Sequence, residues 1–444
     1  MSIAHRVVGL QQRLLIVADL DLAVADARLA DRFPGAPASR QPVHTLYLPA
    51  DRVHAGVVAE MSAAALEVFD EHLPDADALR EVFGADPTDA RMIHTLVRAK
   101  LEREPVEDLR IDFEDGFTQR GVPAGTRDSD EDAHVDRVLD QLCSSPSSLP
   151  PFWGLRFGSL EPATRRRGIR TLARFVTGLT GLTGLAVEGG GLPPGFRPTL
   201  PKVTSVDQVR AMSRMCGELE TACGLGERTL RFEIQIETPQ SICAPDGSAL
   251  VARLIHAAGG RCIGLHYGTY DYSAACGIAA EYQAMDHPVA DHAKAVMQVA
   301  AAGTGVTLSD GSTNRLPVGD RADVLAAWRL HAELVDRSLR RGFYQGWDLH
   351  PAQLVSRYVA TYAFYRSSLP TACARIAAYL GTAPPRGTLS AGYLDEPATA
   401  RALADFCVRA LDCGAATERE VSELAGVSRP ELESLRHPWP RRAL

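Results

Sequence analysis

The chain has 444 residues, 45% of them hydrophobic, enough for two or three domains or for one large barrel with additions. The net charge is −8, the lysines are Lys100, Lys202 and Lys294, and no basic run is interleaved with aromatics, which argues against nucleic-acid and anionic-membrane partners. Nine cysteines, Cys143 to Cys413, form no C-x-x-C pair and read as free thiols of a reducing, cytoplasmic setting.

Residues 3 to 31 predict an amphipathic helix rather than a signal peptide, since the segment carries acids early and has no compact apolar core. The Pro34-Gly35 turn closes it. No stretch of 18 apolar residues occurs, so no membrane span is expected. HTLYLPA (44–50) reads as a strand, 53–107 as helical, and LRIDFED (109–115) as an alternating strand that ends in acids. Residues 119–130 are polar and read as a loop before a helix at 133–142. The strand–helix pattern then repeats. Strands are expected at 152–158, 197–203, 231–238, 262–271, 305–311 and 342–351. Helices are expected at 163–178, 205–222, 247–258, 288–302 and 321–341, and from 352 onward.

Eight strand signals, each followed by a helix signal, predict a parallel sheet and fit a (β/α)₈ TIM barrel of the α/β class. A doubly wound sheet is the alternative. The organisation expected is an N-terminal helix over 1–40, a barrel over 41–383 with an insertion near 53–107, and a C-terminal lid with helices over 384–444. Capping-box spacings at Thr417/Glu420 and Ser428/Glu431 support short helices there.

Polar groups fall at the ends of these strands, where α/β barrels place their chemistry. They are Asp112, Glu114 and Asp115; Arg156; Lys202; Glu237; Asp271; and Asp310. Glu237 and Asp271 each end an apolar run and are followed by turn residues. Two hard oxygen donors on neighbouring strands suit a Mg²⁺ that takes its remaining ligands from water and substrate. The alternative is that both are helix N-terminal charges facing solvent. Arg156, on the apolar run FWGLRFG, needs a carboxylate partner or an anionic substrate. Lys202 is either a Schiff-base lysine or a cation that balances the acids. Asp310 reads as an ordinary loop charge. His266, His287 and His350 have no zinc spacing and read as structural. No nucleophile elbow and no P-loop is present, and the Gly189–Gly191 run reads as a turn.

In order along the chain, HTLYLPAD, LRIDFEDGF, GLRFG, TLPKV, IQIETPQSI, GLHYGTYDYSAACG, GFYQGWDLHPAQ and GTLSAGYLDEPATARA resemble the HpcH/HpaI aldolase and citrate lyase β-subunit family, and more closely its citrate lyase β-like branch of malyl- and citramalyl-CoA lyases. The resemblance implies a carbon–carbon lyase that depends on Mg²⁺, or on Mn²⁺ in its place. Glu237 and Asp271 would hold the metal. Arg156 would meet the substrate carbonyl or enolate oxygen, Glu114 and Asp115 would support metal water and substrate, and Gly268 and Thr269 would contact substrate. Asp395 would be the acid/base of a lid. The partners implied are a small 2-oxo acid or hydroxy acid and further copies of the chain, a trimer or hexamer in which a neighbour donates the lid.

Three departures stand out. Free 2-oxo-acid aldolases of the wider family carry a histidine where this chain has Asp115, which points to the citrate lyase-like branch. The segment between Ala50 and Asp112 holds an extra helical insertion where the coenzyme A nucleotide is normally bound, so a thioester substrate stays open against a free acid. The family's lysine in GFYQGWDLHP is Trp347 here. Two other readings stay open: an enzyme handling phosphoenolpyruvate or pyruvate, and a non-catalytic protein that binds a 2-oxo acid.

Overall fold

A computed structural model of the chain describes residues 3–37, 39–84, 86–144, 149–181, 191–381 and 396–436. The strands are β1 (His44–Pro49), β2 (Asp108–Asp112), β3 (Phe152–Arg156), β4 (Thr199–Leu200), β5 (Phe232–Ile236), β6 (Cys262–Tyr267), β7 (Thr307–Ser309) and β8 (Gly346–Asp348). All pair in parallel in the order β7-β6-β5-β4-β3-β2-β1-β8. Between β7 and β8 the ladder is reduced to a Ser309–Gln345 bridge and two hydrogen bonds, from Asp310 N to Gln345 O at 2.8 Å and from Trp347 N to Gly311 O at 3.2 Å. The sheet is a nearly closed (β/α)₈ barrel, as the sequence predicts.

The helical partners follow the strands. They are α1 (Ile3–Arg32), which precedes β1; α2 (Val57–His72), α3 (Ala76–Phe83) and α4 (Pro87–Arg103) after β1; α5 (Arg127–Ser144); α6 (Arg165–Gly181); α7 (Val206–Cys223); α8 (Pro239–Ile242) and α9 (Leu250–Ala257); α10 (Thr269–Ala275) and α11 (Pro288–Ala301); α12 (Arg321–Arg340); and α13 (Pro351–Leu380) after β8. The expected insertion is thus three separate helices. Asp75 and Asp86 cap the second and third of them by accepting from Ala78 N and Thr88 N, both at 2.9 Å. The loop expected over 119–130 is shorter than predicted, because α5 already begins at Arg127. Its first turn carries Asp128 and Asp130, which favour a helix N-terminus.

The strands alternate apolar and polar residues, and the barrel shows why. Leu109, Ile111, Ile234 and Ile236 are buried against the helices, while Asp108, Arg110, Glu233 and His266 lie on the opposite, inward face and are also buried. The Arg110 guanidinium sits 2.9 Å from Asp108 and 3.0 Å from Glu233, and His266 Nε2 lies 3.2 Å from the same Glu233. Charges out of water cost several kcal/mol each unless paired. The pairing is reflected in Glu233: burial alone would raise its pKa, but Arg110, His266 and Arg197 outweigh that and hold it well below the usual carboxylate range.

The helices at the two ends of the chain lie outside the βα repeat. The 30-residue α1 forms, but every described side chain from Val7 to Arg32 is exposed, so no apolar face of it is covered by its own barrel. At the other end, α14 (Pro397–Cys413) and α15 (Glu418–Ala425) pack on the far half of α13, and α16 (Arg429–Leu435) packs on α14. Tyr362 donates to Cys413 O at 3.0 Å, and Cys373 and Cys407 meet at 3.9 Å, so α14 runs back antiparallel to α13. Arg409 reaches Gln41, just before β1, and covers the ring of Tyr344, just before β8. These helices therefore close the base of the barrel, the end where strands begin. Among the described residues no helix is long and apolar enough to cross a membrane.

Candidate active site

The strand C-terminal ends gather the predicted polar residues into one mouth. Its first fixed point is Asp112, the last residue of β2. Its two oxygens accept from Glu114 N (2.9 Å) and Gly116 N (2.8 Å), which folds the DFEDG turn. A Cβ on Gly116 would lie 2.5 Å from Asp112 Oδ2, so the turn needs glycine there. The same carboxylate takes Arg156 from β3 in a two-pronged contact, Nε at 2.7 Å and Nη2 at 2.6 Å. The Arg156 guanidinium lies 5.0 Å above the Tyr47 ring, and its remaining nitrogen, Nη1, is 3.3 Å from Glu114. Burial opposes the charge on Arg156, but Asp112 and Glu114 outweigh it and raise its pKa further. The ion pair anticipated for Arg156 with the β2 acids is present, and Nη1 is turned to the mouth.

The second fixed point is Lys202, after β4, whose backbone adopts φ +52°, a conformation L-residues avoid unless the surroundings impose it. Its ammonium is 2.8 Å from Asp271, 2.9 Å from Asp115, 3.7 Å from Glu114 and 3.8 Å from Glu237. Glu237, at the end of β5, is buried; its oxygens accept from Lys202 N (2.7 Å) and from Gln235 Nε2 (2.6 Å). Asp271 lies in the first turn of α10 and is half exposed, so the helix N-terminal alternative describes its position, whereas Glu237 is enclosed.

Gly268 stands between them. A Cβ there would lie 2.5 Å from Glu237 Cβ and 3.0 Å from its Oε2, so the missing side chain is what lets Glu237 lie over β6. Gly268→Ala is accordingly expected to displace Glu237 and abolish cation binding while the melting temperature stays within a few degrees; calorimetric titration with Mg²⁺ checks this. Thr269 is buried, and its hydroxyl accepts from Ser312 N at 3.2 Å, tying down the loop after β7. Asp395 lies outside the described residues, as does the greater part of the Gly189–Gly191 run.

Among the described residues charge in this mouth is unbalanced: Asp112, Glu114, Asp115, Glu237 and Asp271 face Arg156 and Lys202. Burial pushes Glu237 up to about 7 against the pull of Lys202 and Arg156, with Asp271 adding to the rise. Burial likewise pushes Glu114 up to about 8, against Arg156 and Lys202. Burial would raise Asp115 too, but Arg156, a hydrogen bond within the turn and Lys202 hold it below the usual range. Buried carboxylates short of positive charge, all hard oxygen donors, fit a hard divalent cation. Among the described residues no three His, Cys, Asp or Glu side chains form a ready-made metal cage. Two carboxylates with an open remainder is the pattern of Mg²⁺ sites that keep several waters.

Other polar clusters do not compete. Asp310, expected to be a loop charge, is buried instead: it pairs with Lys294 at 2.9 Å and accepts from Gly311 N and Ser338 Oγ. An isolated carboxylate could not be enclosed there, so the lysine sixteen residues earlier is the reason for the difference. Ser356 Oγ, His331 Nδ1 (2.8 Å) and, from His331 Nε2, Asp348 (3.3 Å) make a Ser–His–Asp line, but all three are buried and Arg357 neutralises Asp348. His287 and His350 cap α11 and α13.

The sequence already offers the acids Asp112–Asp115 as partners that orient Arg156 and Lys202 as a cation that balances the acids; it does not single out Asp112 as the acid that grips the guanidinium. The signal was present in the period-two run of Asp108, Arg110 and Asp112, which places all three on the inward face.

A family model described as "Domain of unknown function (DUF6986)" matches residues 22–439. The chain belongs to this family. No curated protein matches its sequence. Among solved structures it is similar to a citrate lyase from Burkholderia xenovorans LB400, at 18% identity and a TM-score of 0.54, over 87% of this chain and 97% of that one. Weaker likenesses include a Haloferax volcanii malate synthase in a magnesium–glyoxylate complex (14% identity, TM-score 0.45, 91% and 99% covered) and CitE from Mycobacterium tuberculosis in complex with magnesium, acetoacetate and coenzyme A (17%, 0.45, 85% and 99%). At these identities the first likeness speaks to the fold. That fold accords with the motif resemblance to the HpcH/HpaI aldolase and citrate lyase β-subunit family.

Proposed function

We propose that this DUF6986 protein is a divalent-cation-dependent carbon–carbon lyase. It would cleave a 3-hydroxy acid or its thioester, reversibly, into a small 2-oxo acid such as glyoxylate, pyruvate or oxaloacetate and an enolate-derived fragment. The observation that carries this reading is the barrel mouth itself, where two buried or half-buried carboxylates on adjacent βα units stand beside an arginine whose orientation is fixed from behind. Glu237 and Asp271 would hold Mg²⁺ or Mn²⁺, which when bound supplies Lewis-acid polarisation of the 2-oxo-acid carbonyl.

The chain's own residues do the rest. Arg156 is preorganised by Asp112 and Tyr47, so it meets developing negative charge on an enolate oxygen without rearranging. Its Nη1 is the nitrogen free to do so once substrate displaces Glu114. Glu114 and Asp115 line the approach and accept hydrogen bonds from water or substrate. Asp395 is the proposed acid/base that returns or removes the proton of the enolate fragment, under a lid that excludes water. Homo-oligomerisation with that lid in trans belongs to the same proposal, as does a coenzyme A thioester as the alternative to a free acid.

A Schiff-base mechanism at Lys202 is disfavoured by its surroundings. Burial would lower its pKa, but Glu237, Glu114 and Asp115 together raise it, and an amine nucleophile needs the opposite. The test is a panel of 3-hydroxy acids and their coenzyme A thioesters with Mg²⁺, followed by borohydride treatment. Cleavage that stops with EDTA and leaves no trapped adduct supports the proposal; a stable lysine adduct contradicts it.

The electrostatics give a separate expectation for the metal-free protein. Glu114 and Glu237 have folded pKa values of about 8 and about 7, above their unfolded values. The folded state then binds more protons than the unfolded state in this range, so stability falls as pH rises through them. Melting temperature in EDTA should drop between about pH 7.5 and 9, a window above the titration of unfolded histidine. Added Mg²⁺ should oppose the drop. A flat or rising profile in EDTA would show that the acids are not enclosed as described.

A further inference from the structure

The 30-residue α1 stands off the barrel with eleven large apolar side chains half or more exposed, among them Leu14, Ile16 and Leu20. A helix apolar on most sides is ordinarily buried, and monomers rarely leave so much apolar surface in water. Its sequence carries an unbroken seam at alternating spacings of three and four. Val8, Leu15, Leu22 and Leu29 recur every seven residues, and Gln11, Ala18 and Ala25 fall between them. That is the heptad of a helix that packs lengthwise on another helix.

We infer that α1 is an assembly helix that pairs antiparallel with α1 of a second copy of this chain. Charge selects the orientation. The acids flanking the seam, Asp19, Asp21 and Asp26, all lie in its second half, where Arg28 is the one flanking cation, while Val7, Gln12 and Leu14 occupy the flanks of the first half. A parallel pair would set Asp21 against the partner's Asp26 across the seam, a like-charge contact. Antiparallel pairing sets the acidic half beside the uncharged one. Size selects the same orientation, since Leu15 then faces Ala18, Leu22 faces Gln11 and Val8 faces Ala25, a large residue against a smaller one in each layer. The contact is two-fold and self-complementary, so it closes with two chains. A membrane surface is a poorer occupant, because helices that lie in it carry a lysine- and arginine-rich polar face and this one is flanked by aspartates.

The test uses the full chain carrying Val8→Cys or Ala25→Cys, under mild oxidation. α1 itself holds no cysteine, and the wild type reports the background from the exposed Cys243. A mixture of the two proteins should form a covalent dimer, whereas each alone should not, because two copies of residue 8 lie about 25 Å apart in an antiparallel pair. Leu15→Glu with Leu22→Glu should halve the mass of the assembly in sedimentation with an unchanged melting temperature, since both side chains are exposed within the chain. Cross-linking by either protein alone, no cross-linking by the mixture, or an unchanged mass in the double variant each overturns the inference. So does wild-type binding to phosphatidylcholine–phosphatidylserine vesicles that the same two substitutions abolish. None of these outcomes depends on the chemistry of the barrel mouth.

Discussion

Arg156→Lys is expected to lower kcat about 100- to 1,000-fold and to change KM only slightly, the signature of a contact made in the transition state. The geometry explains why a conserved charge is not enough. Asp112 holds Nε and Nη2 at 2.7 and 2.6 Å, which leaves Nη1 pointing at the mouth. A lysine offers one ammonium; it can satisfy Asp112 or reach the mouth, but it cannot do both. Asp112→Asn should reproduce much of the same loss although Asp112 itself never touches substrate, because the guanidinium would lose its two-pronged anchor. Removing one partner of a buried pair also costs about 3–5 kcal/mol, so Arg156→Ala confounds folding with chemistry and the lysine variant is the cleaner probe. Steady-state kinetics beside a thermal melt decide. A pure KM effect at unchanged kcat would make Arg156 a ground-state binding residue.

Mixing two inactive variants is expected to restore activity. Glu237→Ala removes a proposed metal ligand and Asp395→Ala the proposed acid/base, so each should be inactive alone. Glu396, directly after Asp395, leads into α14 beside the far end of α13. α13 starts at the mouth with His350 as its cap, has already reached the base of the barrel at Tyr358, whose hydroxyl donates to Pro105 O, and spans about 45 Å in all. α14 therefore begins remote from the mouth of its own barrel, and the lid is proposed to serve a neighbour. In random co-assembly from equal amounts, about a quarter of the sites combine an intact barrel with an intact lid in a head-to-tail ring. Activity of the co-expressed pair should return to roughly that fraction. Proven mixed oligomers with no activity would place the lid in cis or take Asp395 out of the mechanism. Normal turnover by Asp395→Ala alone would do the latter.

Much of the barrel was legible because its signals are local. Alternation in LRID and FEIQIE, helical spacing between strands and turn chemistry after each run are properties of neighbouring residues. Where the reading fell short, the cause is distant in sequence. Asp310 resembles a loop charge until Lys294 and Ser338 arrive from two helices. Lys202 looks like a counter-ion to the acids in general, but its place among Glu114, Asp115, Glu237 and Asp271 depends on four βα units converging. β4 shrinks to Thr199–Leu200 because the chain turns into its left-handed residue at Lys202, a constraint no propensity announces. α1 was legible as a helix, but no described part of its own chain covers it.

Glu237 and Asp271 are proposed to hold a divalent cation. Calorimetric titration of Mg²⁺ into EDTA-stripped protein at pH 8, repeated with Glu237→Gln and with Asp271→Asn, tests it most directly. The expected result is one site per chain in the wild type, tightened by glyoxylate, pyruvate or oxaloacetate, and at least tenfold weaker binding in each variant, whose melting temperatures stay close to that of the wild type. Mg²⁺ binding of equal strength in all three proteins would contradict it.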